Sequence, residues 1–436
     1  DGRMVALDAR ASVGDAGELT LKTDRIVLGG QASDPNAWKK AFGKIDLDAS
    51  VDLARLERLI PPEAMPVSDL HGSLVVRARA GRDSADAPPE IQMHAHTRDL
   101  AVAGKAEAEP SVDGIEVRGV APWRSVGVDL GVDVRNDATS GLTNVAFRAT
   151  DAHGVLVAFD SKTILPYDEL VKNPSAAKDK AVAAPISVRM VIPPRRLEEL
   201  PALAGTKETA GIFEADLEAS GTVLEPHVRF IAKGRGLRAV SMPKDTKADT
   251  DIALDYDGER AKLAIKSAAR GQDLLTVTAS ANIRSRDFIV GTPSGAPPEW
   301  TASAQAHLAS FPLETVPQLA AQRIKGRISG DFTLDDLHHA AKATGHLALE
   351  KFKVGRVEYE KGNIDIEAGR GKLAAKVRIE QKDGYIDASA TSGLSWGAEL
   401  APSLDEQQVL EAKLEAKSFR AAAIQPFVAT ALPTLD

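Results

Sequence analysis

Apolar and polar residues alternate along most of this chain in runs of about six to nine, and each run closes on Gly, Asp, Asn or Pro. Such alternation is the period of a β-strand with one wet face, and the polar breaks are turn signals. Residues 251–256 and 261–266 are two such runs, and Asp257-Gly258-Glu259 between them predicts a hairpin. Helical periodicity is nearly absent.

The two parities of these runs differ in chemistry. One carries Ile364, Ile366 and Ala368, then Leu373, Ala375, Val377 and Ile379, then Ile386, Ala388 and Ala390. The other carries Asn363, Asp365, Glu367, Lys372, Lys376, Arg378, Glu380 and Asp387. Successive side chains leave a strand on opposite faces, so one sheet face is apolar and the other wet. The same reading places Val126, Val128, Leu130, Val132, Val145 and Phe147 on the apolar face of an earlier stretch. It places Ile252, Leu254, Leu263, Ile265, Leu275 and Val277 there in a middle one. With Ile364, Ile366, Leu373, Val377, Ile379 and Ile386 these residues are the candidate lining of an apolar groove. The sheet has to fold over on itself to cover that face, as a sandwich, a closed barrel or a curled open groove.

A Leu-rich stretch ending in proline recurs at Pro61, Pro201, Pro317 and Pro426, with spacings of 140, 116 and 109 residues. Gly72, Gly211 and Gly326 follow the first three prolines by 11, 10 and 9 residues, and each opens a strand-like run. Leu100, Leu237 and Phe352 follow those glycines by 28, 26 and 26. A whole unit therefore repeats, with one short helix, near Leu53 to Leu59, Arg196 to Leu203 and Leu313 to Gln322, followed by a meander. The divisions expected are the tail of a preceding repeat at 1–43, repeats at 44–185, 186–299 and 300–408, and the start of another at 409–436. Residues 168–185 and 287–300 fall outside the pattern and read as surface loops or insertions. An all-β, elongated, repetitive antiparallel meander is the expected fold class.

Composition narrows the function classes. The net charge is -8, with no Lys/Arg cluster dense enough to follow a phosphate backbone, so nucleic acid is not an expected partner. With no cysteine there is no disulfide framework, thiol nucleophile or thiolate metal site. Aromatic residues make up 4%, which leaves few large side chains for a thick core. No run reaches the roughly 18 to 20 apolar residues of a membrane span, so any anchor is expected outside this segment.

Residues with catalytic or ligating chemistry do not assemble into a motif. His94 and His96 share a strand face, but it is the wet one, and His338-His339 follow Asp335-Asp336 at a turn. Gly369-Arg370-Gly371-Lys372 lacks the distant glycine and the hydroxyl residue of a phosphate loop, since Ile366 and Leu373 occupy those positions. Ser294 lacks the flanking glycines of a nucleophile elbow. The carboxylates alternate with apolar residues or sit in turns. No enzyme, metal or cofactor is expected.

The recurring Leu-Pro, Gly and Leu-x-Val layout, clearest from Leu313 to Gly355, and the hairpins from Gly362 to Leu394 resemble the AsmA-like superfamily, in particular TamB-type translocation and assembly modules. The resemblance implies a taco-shaped β-groove lined by apolar side chains. It implies a periplasmic location, with anchoring in the inner membrane of a diderm bacterium and reach toward an outer-membrane β-barrel partner. It implies phospholipid acyl chains as cargo, assistance to outer-membrane protein assembly, or both. The alternative expectation is a structural β-solenoid stalk, an adhesin or autotransporter-like scaffold with a closed core.

Overall fold

The computed structural model describes residues 3–420 apart from 13, 32, 35–36, 38–40, 62–63, 66, 86, 105–123, 138, 168, 170–172, 202–208, 240–246, 293, 316–318, 320–322, 356, 397–402 and 405–407. The described residues are all-β and antiparallel, in two compact units, Asp1–Val228 and Arg229–Asp436.

In the first unit Gly17–Leu28, Phe42–Asp52, Val67–Arg82, Glu90–Gly104, Arg124–Asn136, Leu142–Asp151, Gly154–Ile164, Pro185–Arg196 and Thr209–Thr222 each pair with the next strand along the chain. The second unit runs the same way through Ala248–Tyr256, Arg260–Ala269, Gln272–Asn282, Thr301–Pro312, Ile324–Leu337, Lys342–Val354, Lys361–Gly369, Lys372–Gln381, Gly384–Ser395 and Glu411–Lys417. Among the described residues no pairing returns from the last strand of a unit to its first, so neither sheet closes into a barrel.

Register turns the alternation into rows, because directly paired residues share a face. One row of the second unit reads Leu275, Leu308, Gly330, Leu347, Ile364, Val377, Ala388 and Leu414 across eight strands. The neighbouring wet row reads Asp251, Lys266, Thr276, His307, Asp331, His346, Asp365, Lys376, Ser389 and Lys413. His307 pairs with Asp331 and His346 with Asp365, each at 2.8 Å. In the first unit Val132, Phe147, Phe159, Met190 and Leu217 make an apolar row.

A β-bulge recurs in these sheets. Arg25-Ile26 oppose Gly43, Asp99-Leu100 oppose Gly72, and Lys351-Phe352 oppose Gly326. In each case the first residue of the pair is left-handed, with φ of 46°, 53° and 50°, and the glycine lies at φ 133°, 109° and 139°. A Cβ on Gly72 would stand 2.7 Å from the Arg98 carbonyl oxygen, so only glycine fits. Each bulge bends its strand and raises the local twist.

The first two helical segments are shorter than the sequence pattern predicts; in the third Leu319 is helical as well, and 316–318 and 320–322 lie outside the described residues. Leu53–Glu57 is a single α-helical stretch, and Leu197–Glu199 and Leu313–Thr315 are single 3₁₀ turns. What they share is a plug and a latch. Leu53, Leu197 and Leu313 are all buried. The following carboxylates accept backbone N–H bonds at the start of the next strand: Glu57 from Leu70 at 2.9 Å, Glu198 from Gly211 at 3.1 Å and Glu314 from Gly326 at 3.3 Å. The expected loop at 168–185 instead contains a helix, Pro174–Ala183, with Asn173 as N-cap and proline in the first turn. The stretch at 287–300 begins inside a short helix, Ser285–Ile289, and continues without regular structure.

Candidate functional site, an apolar cavity in the second unit

The last strands of the second unit enclose a cavity of about 490 Å³ whose twelve lining residues are all apolar. Ile364, Val377, Ile379 and Ile386, expected from the sequence, line it. Leu313, Leu319, Ile324, Ile328, Leu349, Phe352, Ala388 and Leu414 complete the wall. Two adjacent apolar rows supply the floor: Ile364, Val377, Ala388 and Leu414 in one, and Ile328, Leu349, Ile379 and Ile386 in the other. The 3₁₀ turn contributes Leu313 from the side.

Coverage of the wall is graded. Leu313, Ile324, Leu349, Phe352, Ile379 and Ile386 are buried in one cluster with Val354 and Tyr359, and the Phe419 ring lies tilted against Tyr359 with centroids 5.4 Å apart. Ile364 and Val377 are half-buried, and Leu414 on the last described strand is 64% exposed. Among the described residues the cavity is thus packed at its base and open along one flank.

The other expected lining residues fall elsewhere on the same kind of face. Ile366 and Leu373 lie in the rows next to the cavity, and Leu373 packs on Ala343, Ala368 and Leu394. Ile252, Leu254, Leu263, Ile265, Leu275 and Val277 are half-buried on strands hydrogen-bonded in sequence toward the cavity. Val128 is buried in the first unit, and Leu130, Val132, Val145 and Phe147 are half-buried there. The Val126 side chain lies outside the described residues. One pattern signal for the missed residues was present, since Ile324 and Ile328 are flanked by Lys325, Arg327 and Ser329, and Leu349 is followed by Glu350.

The residues that line the cavity include no charged group. His94 bonds Asp133 on the wet side. His338, expected in a turn, stacks on Trp300 with ring centroids 4.4 Å apart. Asp257 turns its hairpin by accepting the Arg260 and Glu259 amides, which hold its carboxyl below the usual range. Among the described residues no cluster of three or more His, Cys, Asp or Glu is placed to hold a metal ion. No helix there is long and apolar enough to cross a membrane.

No family model, curated protein or solved structure matches this chain.

Proposed function

We propose that this chain is a hydrophobic groove of the periplasm that conducts phospholipid acyl chains between inner and outer membrane, supports outer-membrane protein assembly, or does both. It works without catalysis. The observation that carries the reading is the all-apolar cavity of about 490 Å³, open along the flank at Leu414 and continuous with apolar rows across the sheet. Sequestering a methylene from water is worth about 0.8 kcal/mol, so an acyl chain gains most where greasy surface is unbroken. A wall of Leu, Ile, Val and Ala lacking polar anchors holds a chain without fixing its position.

The buried cluster around Ile379, Ile386 and Tyr359 favours a second reading, in which the face packs on itself as a scaffold. Native mass spectrometry of the purified chain, with lipid extraction, separates the two. Phospholipids that co-purify, and that are lost in Val377→Asp, are the result expected of a groove. A stable, lipid-free chain is the result expected of a scaffold.

A further inference from the structure

The insertion after Gln272–Asn282 builds a second feature, remote in chemistry from the apolar cavity. Residues Glu259, Arg260, Arg284, Asp287, Glu299 and Trp300 line a polar recess of about 560 Å³. Its base is fixed, because the Tyr256 hydroxyl lies 2.7 Å from the Ile283 carbonyl oxygen and 2.5 Å from Ser285 Oγ. This ties the short helix to the hairpin turn. Beside the recess, Phe288 is 53% and Val290 62% exposed, on and just after the helix Ser285–Ile289. Two large apolar side chains left in water next to a mixed-charge recess and a tryptophan are the composition of a surface that meets the boundary between head groups and acyl chains.

We propose that the segment from Arg284 to Trp300 docks on a phospholipid surface, with Phe288 and Val290 entering the acyl boundary and the recess seating a zwitterionic head group. Charge decides the head-group class. Arg260, Arg284 and Arg286 are balanced by Glu259, Asp287 and Glu299, so an anionic surface gains no net attraction. A phosphate beside an ammonium finds guanidinium for the first group and carboxylate for the second. This site does not depend on the groove being occupied.

The test is co-flotation of the whole chain with vesicles of phosphatidylcholine and phosphatidylethanolamine, read alongside tryptophan emission. Trp300→Phe identifies the contribution of that ring among the four tryptophans. Binding is expected to persist in high salt, with a blue shift that Trp300→Phe removes. Joint Phe288→Asp and Val290→Asp is expected to weaken co-flotation by about tenfold or more. Co-flotation lost in Val377→Asp, in the cavity wall, but kept in the double substitution would assign the binding to the groove instead and overturn this proposal, which keeps the two tests distinguishable. Soluble glycerophosphoethanolamine is expected to compete. Absence of co-flotation, indifference to the double substitution, binding only to anionic vesicles at low salt, or failure of the soluble head group to compete would each overturn the proposal.

Discussion

Arg195 and Asp151 form an ion pair at 2.5 Å with side chains only 10% and 9% exposed, and Arg195 also donates to the His153 carbonyl oxygen at 2.6 Å. Burial pushes the Asp151 carboxyl up, but the bonds from Arg195 and the His153 amide outweigh it and hold the carboxyl below its usual range. A lowered folded pKa contributes stability that is present above the unfolded value of about 3.9 and is lost as pH falls through the folded one. Arg195→Ala strands a buried carboxylate and is expected to cost about 3–5 kcal/mol in urea unfolding at neutral pH. Asp151→Asn should flatten the acid limb of the stability profile. His339 shifts the other way, raised by its hydrogen bond to Asp336. Its contribution is present below the unfolded value of about 6.5 and is lost as pH rises through the folded pKa. The pair lies at the surface, so the check is an NMR titration, in which Asp336→Asn brings His339 back toward 6.5.

At the scale of the element, a bulge needs two things at once: a residue tolerant of left-handed φ and a glycine opposite. Gly326→Ala would put Cβ 3.0 Å from Phe352 Cα and 3.1 Å from the Glu350 carbonyl oxygen at φ 139°. A cost above about 1–3 kcal/mol is expected, with hydrogen-exchange protection lost around Phe352. Gly371→Ala meets no closer atom than 4.0 Å at φ 75° and should cost only about 1–2 kcal/mol. These bulges show what the sequence could and could not disclose. Gly72 and Gly326 stood out by their spacing, but the left-handed residue opposite is Asp99 in one bulge and Lys351 in the other, and a lysine carries no compositional mark of left-handed backbone. Alternation cannot be followed across a bulge. Leu308 and Phe311 are three residues apart, yet they pair with Gly330 and Ile328, which share a face. The Pro174–Ala183 helix was missed for the opposite reason, because its Ala, Lys and Asp give no apolar stripe and its cap is a lone Asn173.

For the whole molecule, the division into a wet and an apolar face was legible because nearly every strand obeys it. The cavity was not, because it depends on which rows a short turn covers. Leu313 comes from such a turn, and Ile324 and Leu349 become walls only through register. With no native cysteine, single thiols can map this directly. In the chain carrying lipid, a cysteine at Val377 is expected to react with a water-soluble maleimide far more slowly than one at Lys376. After delipidation the gap should narrow, and an unchanged ratio would argue for a packed face.

Each main strand is hydrogen-bonded chiefly to its neighbours along the chain, and that arrangement sets how a unit gives way under load. Tension applied at an edge strand meets the antiparallel bonds one after another instead of loading them together. Rupture should advance hairpin by hairpin from the edges inward, with the interior strands held to the last. In a single-molecule trace this would be a run of small, closely spaced yields, and the same locality lets the sheet re-form from any surviving hairpin.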